Sequence, residues 1–277
     1  MTEPALPRLI ATDLDGTLLR SDTTVGDRTR QALDLIRSAG VLVVPVTARQ
    51  PVGIRQVAGN AGFEDWAVCS NGAYSWHLSE ERAGFVTLLE PEPLGRLVSL
   101  LGERVPAARF AVVRDFGRDF VAEEGYAALS VFHDHAIQPR VMRRGTLAEL
   151  VSEPCLKFVA RSDRHTPPEL LAEIEALGLD GIAPTLSGAP FVEVAAAGVS
   201  KGVGLAKLCA ELGIAPHEVV AFGDARNDVA MLEWAGHGVA MANAVPHAQA
   251  VADEVLRATN DDEAVADWLM ARFAIAG

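Results

Sequence analysis

The chain has 277 residues, of which 49% are hydrophobic and 22% charged, a balance typical of a globular protein with one large domain or two moderate ones. The formal net charge of −13 argues against nucleic acid or an anionic membrane surface as the main partner. No apolar run approaches the roughly 20 residues that cross a bilayer, so no membrane span is predicted. Residues 1–4 lack the features of a signal peptide, so a cytoplasmic location is expected.

Strands and helices alternate in the first part of the chain. Apolar runs predict buried strands at residues 9–12, 41–46 and 66–70. Helical spacing predicts helices at residues 27–38 and through Val52, Ile54, Val57 and Ala58. This alternation predicts a parallel sheet with helices on both faces.

The middle of the chain has a different pattern. Partly alternating strands are predicted at residues 85–90, 109–114, 119–123, 155–161 and 191–195. Helices are predicted near residues 91–103, 146–151 and 167–177. Such a mixture predicts an α+β layer, in which an antiparallel sheet carries helices on one face.

Strand–helix alternation then resumes. Helices are predicted at residues 201–212, 229–234 and 262–273, and strands at residues 219–222, 238–241 and 254–257. The fold class is therefore α/β, with a doubly wound, Rossmann-like core formed by residues 1–82 and 196–277. Residues 83–195 are expected to form an inserted α+β domain.

Two aspartates, Asp13 and Asp15, follow the first strand at its carboxyl end, where open α/β sheets place their ligands. Two carboxylates so close repel each other unless a cation or a shared proton intervenes, which favours chemistry over scaffolding. An ordinary turn is the alternative, because Asp and Gly are common turn residues. A calcium loop is excluded, since the twelfth position from Asp13 is Thr24 and not Glu.

Other polar side chains fall at the ends of predicted strands or at the start of a helix: Thr47, Asn71, Lys201, Asp224, Asn227 and Asp228. Carboxylates, a hydroxyl, amides and an ammonium together describe a site for a divalent cation and a phosphate. Mg²⁺ prefers a few carboxylate oxygens and leaves room for a substrate phosphate.

The ordered motifs carry a resemblance to a known family. They are DLDGT at residues 13–17, TAR at 47–49, SNGA at 70–73, VSKG at 199–202, GDARND at 223–228 and MANA at 241–244. In their order they resemble a haloacid dehalogenase (HAD) superfamily phosphatase of the Cof type, subclass IIB, which carries a large cap between its second and third motifs. Alanine stands at positions 48, 242 and 264, where the family usually has glycine, but no catalytic side chain is lost.

The resemblance implies a catalytic role for each aspartate. Asp13 would be the nucleophile that forms an aspartyl-phosphate, and Asp15 a general acid and then a general base. Asp13 and Asp224, with the main-chain carbonyl of Asp15, would ligate Mg²⁺, and Asp228 would do so directly or through water. Lys201 would neutralise charge on the nucleophile and the phosphate.

The resemblance also implies substrate contacts for Thr47, Arg49, Asn71, Gly72 and Asn227, with Asn227 orienting either Lys201 or the phosphate. Simpler roles remain open at this point. Thr47 could cap a helix, and Arg49 could form a surface ion pair. Lys201 could be a solvated lysine, and Asp228 could interact with a helix dipole.

The inserted domain is expected to set substrate specificity. Its candidates are Arg114, Arg118, His133, His135, Arg140, Arg143, Arg144 and Lys157. The basic run at residues 139–144 could attract a second anionic group or could be a solvated face. His133 and His135 are expected on one strand face but not as a metal pair. Cys69, Cys155 and Cys209 are expected to be buried thiols.

Three functions are compatible with these features. The first is a Mg²⁺-dependent phosphatase acting on small phosphorylated metabolites, such as sugar phosphates or pyridoxal phosphate. The second is a phosphomutase or phosphotransferase, in which the phosphoryl group passes to another hydroxyl. The third is a non-enzymatic regulatory module, which the presence of Asp15, Lys201 and Asp224 argues against.

Overall fold

The computed structural model describes residues 6–135 and 137–272, except for the side chains of residues 57, 58 and 60. The chain divides into two compact units. The first unit combines the residues up to Phe85 with those from Ser200 onward, and the second unit runs from Val86 to Val199. Among residues 6–135 and 137–272, none of the helices has both the length and the hydropathy of a membrane span.

The helices and strands follow one another in three groups. The first group is β1 (Leu9–Thr12), α1 (Asp27–Ser38), β2 (Leu42–Pro45), α2 (Pro51–Ala58), β3 (Trp66–Cys69), β4 (Tyr74–His77) and β5 (Arg82–Val86). The second group is α3 (Pro91–Arg104), β6 (Arg109–Arg114), β7 (Asp119–Ala122), α4 (Glu124–Leu129), α5 (Phe132–His135), β8 (Arg143–Arg144), α6 (Leu147–Leu150), β9 (Lys157–Arg161), α7 (Pro167–Glu175), β10 (Ile182–Thr185) and β11 (Val192–Ala196). The third group is α8 (Lys201–Leu212), β12 (Val219–Gly223), α9 (Val229–Trp234), β13 (His237–Ala240), α10 (Pro246–Val251), β14 (Glu254–Val255) and α11 (Ala264–Arg272).

A five-stranded parallel sheet of order β14-β13-β12-β1-β2 forms the centre of the first unit. β1 lies between β12 and β2, with Ile10 opposite Val220 on one side and Val43 on the other. All of β1 is buried, as expected of a parallel strand covered on both faces. Helix α1 packs against α11, and α8 packs against α9. The prediction of a doubly wound α/β fold is confirmed.

The third predicted strand is joined to this sheet by a single parallel bridge, between Val46 and Val68. Its main partner is β4, with which β3 pairs antiparallel. The strand predicted at residues 66–70 is therefore present and bridges the parallel sheet, but its continuous pairing is antiparallel, which the sequence did not predict. The cause is the turn at Ser70–Gly72, where φ is 53° at Ser70, 58° at Asn71 and 99° at Gly72. An Asn-Gly turn with positive φ favours a hairpin.

A six-stranded sheet of order β10-β11-β9-β6-β7-β8 forms the second unit. Its pairs are antiparallel except for β7 with β8. Phe110 and Phe158 face a core closed by α3 and α7, whereas Ala111 and Val113 face a second core. The α+β layer is confirmed, but the expectation of helices on one face is wrong, because Tyr126 of α4 is buried in that second core.

One predicted strand of the middle region is displaced. The strand expected at residues 85–90 is β5, which ends at Val86. Beyond it, the chain makes an isolated antiparallel bridge between Leu89 and Cys155. The residues of β5 alternate between exposed and half-buried, which is the pattern of a strand with one face to solvent. The apolar residues after Val86 misled the prediction, because they lie beyond the end of this strand.

Two histidines and the last helix also differ from prediction. His133 and His135 lie in the short helix α5 and not on a strand, so alternate positions do not share one face. The helix predicted at residues 262–273 begins at Ala264, after a 3₁₀ turn at Asn260–Asp262. Phe273, its predicted last residue, lies outside the described residues.

The three cysteines are buried thiols, as predicted. Burial raises the pKa of the Cys155 thiol to about 12 and that of the Cys209 thiol to about 11. Thiols with such pKa values stay protonated near neutral pH and are therefore poor nucleophiles. Cys69 ends β3, one residue before the turn that carries Asn71.

Candidate active site

Four aspartates lie at the carboxyl edge of the parallel sheet. Asp13 and Asp15 follow β1, and Asp224 and Asp228 follow β12, the neighbouring strand. The backbone N–H of Asp13 donates to the carbonyl of Phe222 at 3.0 Å, which continues the pairing of the two strands to their ends. This edge is where open α/β sheets bind their ligands.

Lys201 reaches the same edge from the first turn of α8. The helix begins after Ser200, whose side chain accepts a hydrogen bond from the N–H of Val203 at 3.2 Å. The Lys201 Nζ lies 2.7 Å from Asp13 Oδ1 and 2.6 Å from Asp228 Oδ1. Only 1% of the side chain is exposed, so Lys201 is not the solvated lysine that its position alone allowed.

Burial and charge act in opposite directions on this ammonium. Burial by itself lowers the pKa of Lys201, but the carboxylates of Asp13 and Asp228 raise it above its ordinary value. Burial raises the pKa of Asp13 well above its usual range; Lys201 opposes this shift, and Asp228 and Asp224 add to it. The site therefore concentrates more negative charge than its ammonium offsets.

Asp224 is held by the hydroxyl of Thr17, which donates to Asp224 Oδ1 at 2.6 Å. Thr17 was not among the predicted site residues, although it stands in the DLDGT motif and its hydroxyl, so close to two aspartates, was the available signal. Burial, and then repulsion from Asp228, raises the pKa of Asp224 to about 6. Without a cation nearby, this carboxylate is costly to ionise.

Asp228 closes the turn that follows β12. Its Oδ2 accepts hydrogen bonds from the backbone N–H groups of Asp224 at 3.0 Å and Ala225 at 2.9 Å. Its Oδ1 accepts from Lys201, and the side chain is fully buried. A residue that only balanced the dipole of α9 would not need these contacts, so Asp228 fixes both Asp224 and Lys201.

The three carboxylates fit a divalent cation. Ligand oxygens of Asp13, Asp224 and Asp228 lie within 4.8 Å of one another, and this is the single group of potential metal ligands in the described part of the chain. Carboxylate oxygens are the donors that Mg²⁺ prefers. Lys201 supplies one positive charge against three carboxylates, so a divalent ion would neutralise the remainder. The main chain at Gly16 lies close to the Asp224 carboxylate. A Cβ at this position would lie 2.4 Å from Asp224 Oδ2, so glycine leaves room for that side chain.

Asp15 is not one of these three carboxylates, and its side chain is held by Arg49. The guanidinium donates from Nε to Asp15 Oδ2 at 2.7 Å and from Nη2 to Oδ1 at 2.6 Å, a bidentate contact. The side chains of Arg49 and Asp15 are 22% and 41% exposed. Of the two roles that the sequence left open for Arg49, the structure shows an ion pair, and its partner is the second aspartate of the first motif.

Thr47, Asn71 and Asn227 are buried and connected. The carbonyl of Thr47 accepts from the N–H of Asn71 at 3.0 Å, and Asn227 Nδ2 donates to Asn71 Oδ1 at 2.9 Å. Asn227 Oδ1 is buried and has no hydrogen-bond partner among the described residues, so it offers an acceptor to a ligand. Thr47 does not cap the next helix, because the N-cap of α2 is Gln50.

Gly72 allows the hairpin turn to pack on the start of α8. A Cβ at Gly72 would lie 2.0 Å from the carbonyl oxygen of Ser200, the residue before Lys201. Its φ of +99° also disfavours any side chain. The structure therefore gives Gly72 a packing role, where the resemblance implied a contact with substrate.

We expect Gly72→Ala to lower the free energy of unfolding by at least about 3 kcal/mol, because a clash adds to backbone strain. Gly40→Ala is the matched control, since Gly40 has φ +85° but nothing within 4 Å of a Cβ. Gly40→Ala should lower the free energy of unfolding by only about 1 kcal/mol, because it introduces backbone strain without a clash. Urea denaturation of both variants measures the difference, and equal losses would contradict the packing role.

Two basic candidates of the second unit are buried among local partners. Arg114 Nη2 donates to the carbonyl of Leu150 at 2.7 Å, at the end of α6. Lys157 Nζ lies 2.5 Å from Glu193 Oε1, and both side chains are almost fully buried. The structure gives Arg114 a role in closing α6, and it pairs Lys157 on β9 with Glu193 on β11.

The other basic candidates lie on the surface of the second unit. Arg143 pairs with Asp119 at 3.1 Å, and Arg144 pairs with Glu124 at 2.9 Å. Arg118 lies 3.8 Å from Asp115, and Arg140 is exposed. These exposed pairs are the arrangement of a solvated face, one of the two readings of the basic run.

His133 and His135 do not belong to a group of potential metal ligands within the ranges that the structure describes. His135 Nε2 lies 2.6 Å from the hydroxyl of Tyr126, and its ring stacks on Phe191. Burial, assisted by Lys157, lowers the pKa of His135 to about 3, so the ring stays neutral. His133 is exposed.

Comparison with known proteins identifies the family. A family model described as haloacid dehalogenase-like hydrolase matches residues 10–269. The chain is 27% identical to the 5-amino-6-(5-phospho-D-ribitylamino)uracil phosphatase YitU of Bacillus subtilis, over 97% of this chain and 98% of the relative. It is 29% identical to the pyridoxal phosphate phosphatase YbhA of Escherichia coli, over 95% and 97%. A solved haloacid dehalogenase-like hydrolase from B. subtilis is 26% identical, with TM-score 0.80 and coverage of 95% and 98%.

These matches extend over nearly the whole chain, so they include both units and every motif of the sequence analysis. The resemblance to a Cof-type phosphatase, first drawn from those motifs, is confirmed. The first unit places the residues that carry the resemblance at one edge of its parallel sheet. The chain belongs to the haloacid dehalogenase-like hydrolase family, and it is a phosphatase.

Proposed function

We propose that this phosphatase is a Mg²⁺-dependent phosphomonoesterase that acts through an aspartyl-phosphate. The observation that carries the proposal is the buried contact of Lys201 with Asp13 at 2.7 Å, beside the carboxylates of Asp224 and Asp228. A carboxylate that attacks a phosphate must overcome the repulsion of like charges. An ammonium and a divalent cation at the nucleophile offset that repulsion.

The reaction has two displacements at phosphorus. In the first, an oxygen of Asp13 bonds to phosphorus and the bond to the alkoxide oxygen breaks, while protonated Asp15 gives its proton to that oxygen. In the second, water attacks the aspartyl-phosphate and Asp15 takes the proton of the water. The bond from phosphorus to Asp13 then breaks, which frees phosphate and restores the carboxylate. Arg49 donates to both oxygens of the Asp15 carboxylate and so positions it, and Asp15 releases one of these two hydrogen bonds when it carries the proton.

Asp13 and Asp224, with the main-chain carbonyl of Asp15, would hold the Mg²⁺, and Asp228 would bind it directly or through water. When bound, the ion screens the nucleophile from the negative charge of the phosphoryl group. Lys201 offsets charge on Asp13 itself, which it contacts directly. Thr17 keeps Asp224 in place, since its hydroxyl donates to one carboxylate oxygen.

Phosphoryl oxygens are proposed to contact Thr47 and the backbone N–H groups that follow Asp13. Asn71 and Asn227 act as a hydrogen-bonded pair on the substrate side. The unpartnered acceptor of Asn227 supports this role, because a buried carbonyl oxygen without a donor is costly unless a ligand supplies one.

The substrate is proposed to be a small phosphorylated metabolite, such as a sugar phosphate or a related cofactor. The relatives support this class, because one is named for a phosphoribitylamino-uracil and another for pyridoxal phosphate. The side chains of the first-unit site account for contacts with the metal and the phosphate group, but for few contacts with the rest of a substrate. We therefore assign selection of the leaving group to the second unit, Val86–Val199, as a cap domain.

The test is phosphate release from a panel of sugar phosphates and pyridoxal phosphate, with Mg²⁺ and after its removal by a chelator. We expect stoichiometric phosphate and alcohol from at least one member, and loss of turnover without the metal. Isomer formation without phosphate would indicate a mutase instead. Turnover that survives metal removal, or no turnover with any member, would contradict the proposal.

Mg²⁺ is expected to raise the melting temperature more at about pH 8 than at about pH 5. The pKa of Asp224, raised to about 6 by burial and then by Asp228, means that this carboxyl carries a proton at the lower pH. In metal-free protein the same shift stabilises the fold below the unfolded pKa of 3.8, and that stability is lost as pH rises through about 6. Melting curves of wild type and Asp224→Asn measure both effects, and a Mg²⁺ effect independent of pH would contradict this assignment.

A further inference from the structure

The turn at residues 241–245 connects the two loops that carry the aspartates. Asn243 Nδ2 donates to the carbonyl of Gly16 at 2.8 Å, in the loop after β1. Two residues later, the backbone N–H of Val245 donates to the carbonyl of Asp224 at 2.8 Å, in the loop after β12. Asn243 belongs to the MANA stretch, which the proposed mechanism leaves without a role.

The amide of Asn243 is oriented by a second asparagine. The backbone N–H of Asn260 donates to Asn243 Oδ1 at 3.2 Å, which directs the amide nitrogen of Asn243 to Gly16. The side chain of Asn260 is buried and donates to the carbonyl of Leu19 at 2.8 Å. The two asparagines therefore hold both ends of the loop from Gly16 to Leu19.

This loop reaches Asp224 directly. The carbonyl that Asn243 binds belongs to the peptide between Gly16 and Thr17, and the Thr17 hydroxyl donates to Asp224 Oδ1 at 2.6 Å. Gly16 has φ +79°, a conformation that glycine can leave at little cost. A hydrogen bond to its carbonyl removes that freedom. Asp224 is thus held at its main chain by Val245 and at its carboxylate through Thr17.

We infer that Asn243 is a positioning residue for the divalent-cation site, acting through the Gly16–Thr17 peptide on the carboxylate of Asp224. The inference rests on the proposed function in that the site must bind Mg²⁺. Partners that orient metal ligands without touching the metal typically contribute about 10- to 100-fold in metal affinity or activity. Loss of the Asn243 amide should therefore weaken Mg²⁺ binding by about 10-fold.

The test is isothermal titration of Mg²⁺ into the metal-free chain of 277 residues, without substrate. Asn243→Leu removes the amide with little change of size, and the exposure of Asn243 makes the change tolerable for folding. Gln249→Leu is the matched control, because Gln249 Nε2 donates to the carbonyl of Ala242 at 3.3 Å in the same turn. We expect a Kd for Mg²⁺ about 10-fold higher in Asn243→Leu and within about twofold of wild type in the control.

Further measurements separate positioning from general destabilisation. The metal-free melting temperatures of the two variants should agree, and saturating Mg²⁺ should restore kcat in Asn243→Leu without changing KM for the phosphorylated substrate. Asn243→Ala repeats the test if the leucine variant fails to fold. A wild-type Kd in both Asn243 variants, or equal weakening in the Gln249 control, would overturn the inference. A wild-type protein that binds no Mg²⁺ would instead overturn the proposed function.

Discussion

Asp13→Asn is expected to lower kcat by at least about 10⁴-fold while the protein stays folded, as removal of a catalytic nucleophile does elsewhere. An amide oxygen does not form the acyl phosphate on which both displacements depend. The fold should tolerate the change, because burial makes the charged form of Asp13 costly and thereby raises its pKa. Phosphate release at saturating Mg²⁺ and a melting curve measure the two effects.

The control is Asp163→Asn, the same chemical change at an exposed aspartate of the second unit. Its turnover should equal that of wild type. Acid quenching of wild type during turnover should trap a phosphate adduct on the peptide that contains Asp13, and the Asp13→Asn protein should yield none. An adduct on another residue, or undiminished turnover in the variant, would show that Asp13 is not the nucleophile.

The central sheet was predictable from the sequence because its strands are locally encoded. β1 and β12 are continuous apolar runs, which is how a strand buried on both faces is recognised. α8 and α9 begin and end at the predicted residues. The pairing of β3 with β4 was missed, since a run of apolar residues does not specify its neighbour. The turn did specify it: Asn71 and Gly72 adopt positive φ, which favours a hairpin.

The candidate site was predictable to the extent that it depends on strand ends. The carboxyl ends of adjacent parallel strands meet, so Asp13 and Asp224 could be placed together without coordinates. The hydrogen-bond partners could not, because they depend on side-chain directions across loops. Arg49 pairs with Asp15 and Thr17 with Asp224, and neither contact follows from motif order.

For the basic residues of the second unit, too, the sequence did not reveal the side-chain partners. The basic run at residues 139–144 could be an anion site or a solvated face, because a sequence does not show which charges are already neutralised. Arg143 pairs with Asp119, 24 residues away along the chain, and Lys157 pairs with Glu193, 36 residues away. Each contact joins different strands or loops, so it exists only after the sheet has formed.

Lys201→Met is expected to damage both stability and catalysis, which distinguishes it from Asp13→Asn. Loss of the ammonium leaves Asp13 and Asp228 buried without their shared cation, and breaking such a pair typically costs about 3–5 kcal/mol of unfolding free energy. The kcat should fall by about 10³-fold, the scale of a lost electrostatic contact in a transition state. Urea denaturation of metal-free protein and phosphate release at saturating Mg²⁺ measure these losses.

Two further variants separate the causes of these losses. Lys207→Met makes the same change at an exposed position of α8 and should leave kcat unchanged. Adding Asp228→Asn to Lys201→Met should recover part of the lost stability, because one uncompensated carboxylate is removed, but it should recover no activity. Recovery of both would mean that Lys201 acts on the fold alone. Recovery of neither would mean that the charge balance among Asp13, Lys201 and Asp228 is not what stabilises this edge of the sheet.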